Sequence, residues 1–267
     1  MKVFEFGVLT LFVYVIIEYL GGKMKFTQIR HGSCIIELDN LRFLIDPVLY
    51  KKHTLPAIIG GIKQKNPLVD ICVGENILKN IDFIILTHLH FDHFDPKILE
   101  YYGSNIQIIC SEKFKKKLSQ MGFVNINSVK NQITIKGIEV NITKSKHGTG
   151  IIGKMMGKSY GFVLRTSENN VVYITGDTVW CNYVEEAIEK YKPKYIIAFA
   201  GSAKVMNIKI TLDENGINKI LEKTPSVKLI VNHMDAWNHC SLTREVLKNV
   251  IRSNIIFIPS DGETINI

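Results

Sequence analysis

Proline, glycine and serine never gather in this 267-residue chain into a stretch that would separate domains, and only seven prolines are present. No repeat recurs at a fixed period of about 20 to 50 residues, which argues against a solenoid or propeller, and no low-complexity tract interrupts the chain. With 46% apolar and 22% charged residues, one large globular domain with a substantial core is the simplest organisation. Cysteine is sparse and unpatterned: Cys34, Cys72, Cys110, Cys181 and Cys240 form neither CxxC pairs nor an even set. That argues against a disulfide scaffold and suits a reducing compartment, so a cytoplasmic location is expected.

An apolar run long enough to cross a bilayer is also lacking. Residues 6–17 are apolar but stop at Glu18, short of the roughly 20 residues required, and Glu5 weakens a signal-peptide reading. Residues 1–23 are therefore expected to form an apolar extension ahead of a folded unit at 24–267. A dispensable extension is the first reading, with membrane association through residues 6–20 and a cleaved signal as the alternatives.

The net charge of +8 suits an anionic small molecule, a nucleic acid or an anionic membrane, and selects none of them. The densest basic run, Lys113 to Lys117, falls on a short amphipathic pattern whose apolar face is Phe114 and Leu118, so its lysines read as a solvated helix face. It lacks the interleaved arginines and aromatics of a stacking platform, and nucleic acid is not the expected partner.

What the chain does have is concentrated. The segment Thr87-His88-Leu89-His90-Phe91-Asp92-His93 places three histidines and an aspartate directly after the apolar run Phe83-Ile84-Ile85-Leu86. Imidazole and carboxylate are favoured ligands for zinc and similar metals, and side chains two apart in an extended exit share a face. Four further β-branched runs also lead to an acid or a histidine: 42–45 to Asp46, 140–143 to His147, 171–175 to Asp177, and 228–231 to His233. Ligands at strand exits sit on a rigid scaffold while remaining accessible. Five strand exits are expected to converge on one rim. His31 either lines this site or is a hydrogen-bonded structural residue, the second being favoured, and His53 is given no role.

The combination His88-Leu89-His90-Phe91-Asp92-His93, His147, Thr175-Gly176-Asp177-Thr178 and His233 resembles the signature of the metallo-β-lactamase superfamily, in its usual order. Within that superfamily it is most similar to the branch of ascorbate-6-phosphate lactonase-like hydrolases. The resemblance implies an α/β fold, the four-layer αββα sandwich, over residues 24–267. It implies two divalent metal ions, zinc first, with manganese or iron also accommodated. His88, His90 and His147 would hold one ion, Asp92, His93 and His233 the other, and Asp177 would bridge. Asp46 matches a motif that is usually structural. A hydroxide held by two ions would attack a small-molecule ester, lactone or phosphorylated metabolite, with Asp92 and Asp177 as catalytic carboxylates. A metal-dependent phosphodiesterase or ribonuclease and a non-catalytic metal-binding sensor are the competing functions. His239 could replace His233, orient a ligand or touch substrate.

Helices are expected near 182–191 after Asn182, from Thr211 with Glu214 completing a capping box, from Asp95-Pro96, and after Ser241. The segment Gly148-Thr149-Gly150-Ile151-Ile152-Gly153 formally matches GxGxxG. The glycines and methionines that follow predict an adaptable hairpin loop beside His147 instead of a dinucleotide site.

Overall fold

The computed structural model describes residues 24–267; the apolar extension at 1–23, with its membrane and signal readings, lies outside the described residues. Sixteen strands follow the order β1 (Lys25–Arg30), β2 (Ser33–Leu38), β3 (Leu41–Ile45), β4 (Phe83–Leu86), β5 (Gln107–Ser111), β6 (Ile126–Val129), β7 (Gln132–Ile135) and β8 (Ile138–Lys144). They continue with β9 (Tyr160–Arg165), β10 (Val171–Ile174), β11 (Tyr195–Phe199), β12 (Lys204–Val205), β13 (Ile208–Lys209), β14 (Lys228–Asn232), β15 (Ile256–Phe257) and β16 (Thr264–Asn266).

Two seven-stranded mixed sheets result, ordered β16-β1-β2-β3-β4-β5-β6 and β15-β14-β11-β10-β9-β8-β7. Strands β4 and β11 are buried along their whole length, as expected for strands covered on both faces. In β2 the alternation of the pleat sends Cys34, Ile36 and Leu38 into the core between the sheets and Ile35 to the opposite face. Outside the first sheet, helices Ile98–Tyr102 and Glu112–Gln120 bury Ile98 and Leu118 against Ile84 and Ile108. Outside the second, helices Asn182–Tyr191, Glu214–Lys223 and Arg244–Val250 bury Val184, Ile217 and Leu247 against Tyr173 and Val231. Helix, sheet, sheet and helix layers thus enclose three apolar cores, which is the expected αββα sandwich.

Three local expectations are corrected. Helix Glu214–Lys223 starts three residues after Thr211, because the Asp213 carboxylate accepts from the Gly216 N–H while Thr211 Oγ1 accepts from the Ala203 N–H. Helix Arg244–Val250 is capped by Thr243, whose Oγ1 accepts from Val246 N, whereas Ser241 donates to the Ser202 carbonyl. The glycine-rich segment is no hairpin: Gly150–Met155 is a short helix. Its Gly153 lies where a Cβ would come within 2.5 Å of the Gly148 carbonyl oxygen, so the glycine permits a close return of chain on chain. Among the described residues no helix is long and apolar enough to cross a membrane.

Candidate metal centre

Parallel pairing of β3, β4 and β5 in one sheet and of β10, β11 and β14 in the other points their C-terminal ends at the same edge. The residues that leave these strands therefore meet. Asp46 follows β3 with φ 42°, is fully buried, and organises the exit from β4. Its Oδ1 accepts from the Thr87 N–H at 2.8 Å, its Oδ2 accepts from Thr87 Oγ1, and His93 Nδ1 lies 2.7 Å from the same Oδ2. Burial pushes the Asp46 carboxyl up, while the bonds from His93 and Thr87 pull it down.

The contact with Asp46 turns His93 Nε2 inward, 3.0 Å from Nε2 of His233 and 3.4 Å from Oδ1 of Asp177; burial works against its charge, but Asp177 and Asp92 hold the imidazolium well above its ordinary value. His147 is fixed similarly, through Nδ1 against the Ile210 carbonyl at 2.9 Å, and its buried Nε2 has no hydrogen-bond partner. His88 Nδ1 sits 3.0 Å from Thr87 Oγ1, and its Nε2 is likewise without a partner.

Potential ligand atoms fall into two main groups, His88, His90 and His147 in one and His31, Asp92, His93 and His233 in the other, and a third, overlapping group joins Asp46 to His88 and His93. Asp177 lies between the two main groups: Oδ2 is 4.0 Å from His88 and 3.7 Å from His147, and Oδ1 is 3.3 Å from His233. Burial works against the Asp177 charge, but the charged His93 ring beside it holds the carboxyl well below the usual carboxylate range. Burial lowers the His233 imidazole to about 4 and takes His88 well below its ordinary value, so both are neutral and ready to donate a lone pair at neutral pH. Several buried nitrogens and a carboxylate oxygen converging without partners are costly unless a cation completes them, so this donor set fits divalent metal ions.

Every residue singled out in the histidine motif and at the strand exits is thus brought into one cluster. His31 belongs with them, contrary to the favoured structural reading: its ring lies tilted by 37° against His233 at 3.6 Å between centroids, and its Nε2 is 3.6 Å from Asp92 Oδ2. His239 also reaches Asp92, at 3.6 Å, but from the pocket side. Trp237 is a packing residue against Val48 and Ala236, and Trp180 and Cys181 pack on the outer helices.

Above the cluster opens a pocket of about 400 Å³. Its floor is His90, Asp92, His147, Asp177 and His239; its walls are apolar, with Pro56, Ile58, Phe91, Met156, Val205 and Ile210 prominent. Sequence reasoning missed what holds the wall. Asn238 accepts from the Ile58 N–H and donates to the carbonyls of Ile58 and Ile62, and it exchanges two hydrogen bonds with Asn66. Buried Arg30 donates to the carbonyls of Val48, Tyr50 and Val69, anchoring the ends of the same loop. Burial lowers the Arg30 guanidinium to about 10. Neither residue carries a motif, and only the intervals of 172 and 180 residues closed by the Asn238 bonds give it meaning.

Comparison with known proteins agrees with this architecture. The family model described as "Beta-lactamase superfamily domain" matches residues 41–234. The "UPF0173 protein YddR" of Bacillus subtilis is 34% identical over 251 residues, which are 90% of this chain and 99% of that protein. The crystal structure of "a possible metal-dependent hydrolase" from Veillonella parvula superposes with a TM-score of 0.88 at 27% identity, covering 92% of this chain and 100% of the other. That of an isothiocyanate hydrolase from Delia radicum gut bacteria gives 0.84 at 28% identity, covering 91% and 98%. The chain belongs to the beta-lactamase superfamily, among its metal-dependent hydrolases.

Proposed function

We propose that this protein hydrolyses a small, largely apolar electrophile at a two-metal centre. The observation that carries the reading is the disposition of Asp177, which turns one carboxylate oxygen to each of two ligand groups. His88, His90 and His147 would hold one ion, Asp92, His93 and His233 the other, and Asp177 both. Zinc suits the histidine-rich set best, and manganese or iron could also be held. Two such ions would supply a water acidified to near-neutral pKa and Lewis-acid polarisation of the bond to be cleaved.

The chain's own residues supply the rest. Asp92, held well below the usual carboxylate range by His93 and His31 against the cost of burial, is an acceptor at the pocket floor that can orient a water proton. His239 reaches the pocket at the Asp92 side; burial lowers its imidazole below the ordinary value, so it is neutral there and can hydrogen-bond substrate or a leaving group. The apolar walls exclude bulk water and accept an apolar substituent. Among the described residues no lysine or arginine lines this pocket, which favours a neutral ester, lactone or isothiocyanate over a phosphorylated metabolite or a phosphodiester polymer. The isothiocyanate hydrolase among the structural neighbours supports that class.

A screen of aryl and alkyl esters, lactones and isothiocyanates with metal-loaded protein tests this. Turnover that vanishes in Asp177→Ala, with the fold intact, is expected; turnover only of phosphodiesters, or none with two ions bound, would overturn it.

A further inference from the structure

Large apolar side chains normally face inward, yet several stand in solvent around the mouth of this pocket. Ile59 is 79% exposed, Ile151 76%, Met155 72% and Met206 65%. They come from three separate segments. Ile59 lies on the pocket-wall loop, and a Cβ on its neighbour Gly60 would come within 3.1 Å of the Met206 backbone nitrogen, so this loop touches the β12–β13 hairpin. Ile151 and Met155 are four apart on the short helix and share a face, one residue from the pocket-lining Met156. Half-exposed Phe91 adds a further apolar contact from the histidine loop.

The same segments carry charge of one sign. Over residues 51–65, 144–158 and 202–210 the sequence holds ten lysines and no acidic residue, although the whole chain is only +8. Of these ten, Lys209 pairs with Asp213, Lys144 lies over the Tyr183 ring, and Lys144 and Lys158 line a separate pocket, which leaves the others to the rim. Apolar side chains interspersed with lysines, in the segments that border the active-site opening, match the polar and apolar layers at the edge of an anionic bilayer. A second copy of the chain would bring lysines against lysines, and a nucleic acid would gain nothing from exposed isoleucine and methionine.

We infer that this rim docks on an anionic lipid surface, so that the pocket opens onto the bilayer interface and receives lipophilic substrate from it. The docking surface stands independently of the metal assignment; delivery of substrate rests on the proposed hydrolysis.

The test is cosedimentation of the full-length protein with vesicles of phosphatidylcholine alone or with about one-third phosphatidylglycerol, at about 0.1 M salt. Binding to the anionic vesicles, weakened by added salt, is expected. The triple substitution Ile151→Ser, Met155→Ser and Met206→Ser should reduce it by roughly ten-fold or more. Lys154→Glu with Lys204→Glu should do the same and abolish most of the salt dependence. Circular dichroism and metal content, measured on the same preparations, should not change. No binding by the wild-type chain overturns the inference. So does binding that survives both sets of substitutions, which would place it elsewhere, including residues 1–23, and so does binding to RNA in place of vesicles. Vesicle binding without turnover of any lipophilic substrate would leave the surface standing and sink the proposed reaction.

Discussion

Nδ1 of His93 lies 2.7 Å from Oδ2 of Asp46, with both side chains fully buried. This contact holds the His93 ring in one orientation and aims its Nε2 at His233 and Asp177. Asp46 thereby acts on the centre through the side chains of His93 and Thr87.

Replacing Asp46 with asparagine keeps its volume but removes the carboxylate that holds both Thr87 and His93. Metal affinity is expected to fall by about 10- to 100-fold, with a larger loss for the second ion than for the first. Metal titration followed by calorimetry checks this, and unchanged affinity for both ions would refute the role.

Two glycines separate the metal centre from the pocket wall. A Cβ on Gly201 would come within 2.4 Å of the His233 carbonyl oxygen and 3.0 Å of its Nδ1, so Gly201→Ala displaces His233. A Cβ on Gly61 would lie 2.1 Å from the Asn238 carbonyl oxygen, so Gly61→Ala disturbs the wall. Each should cost about 1–3 kcal/mol of stability. The first should lower metal content and the second should raise KM with metal content unchanged; elemental analysis beside steady-state kinetics distinguishes them.

The Asp213 cap gives helix Glu214–Lys223 a pH dependence. Burial would raise this carboxyl, but the Lys209 ammonium and the Gly216 N–H bond together hold it below its ordinary value of 3.8. The unfolded chain therefore binds the proton more readily, and the cap's contribution is complete above pH ~4 and is lost as pH falls through the depressed folded value. Asp213→Ala should cost about 1 kcal/mol at neutral pH, while Asp213→Asn, which caps in both ranges, should flatten the acid limb. Thermal melts from about pH 6 down to about pH 2, a range that runs below the ordinary value of 3.8, provide the readout.

The strands and the histidine motif were legible because buried parallel strands are continuous apolar runs, and because ligand-bearing exits break those runs with acid or imidazole. β2, β3 and β14 fall where their runs predict. The wall of the pocket was not legible. Asn66 and Asn238 look like ordinary turn residues until the fold closes the interval between them. Helix Gly150–Met155 contradicts its own glycine content, because packing of Gly153 on Gly148 outweighs the low intrinsic helix propensity. His31 follows β1 directly, in the turn into β2, but Thr27, Gln28 and Arg30 interrupt that strand with polar side chains, so a rule built on apolar runs ending in a ligand passed it by.

The most direct test of the two-metal account is elemental analysis of full-length protein prepared without chelators, with zinc, manganese and iron available, beside Asp177→Ala. Two equivalents per chain in the wild type, and loss of metal from both groups in the variant, are the predicted results. One equivalent or none in folded wild-type protein, or two retained by the variant, would contradict it.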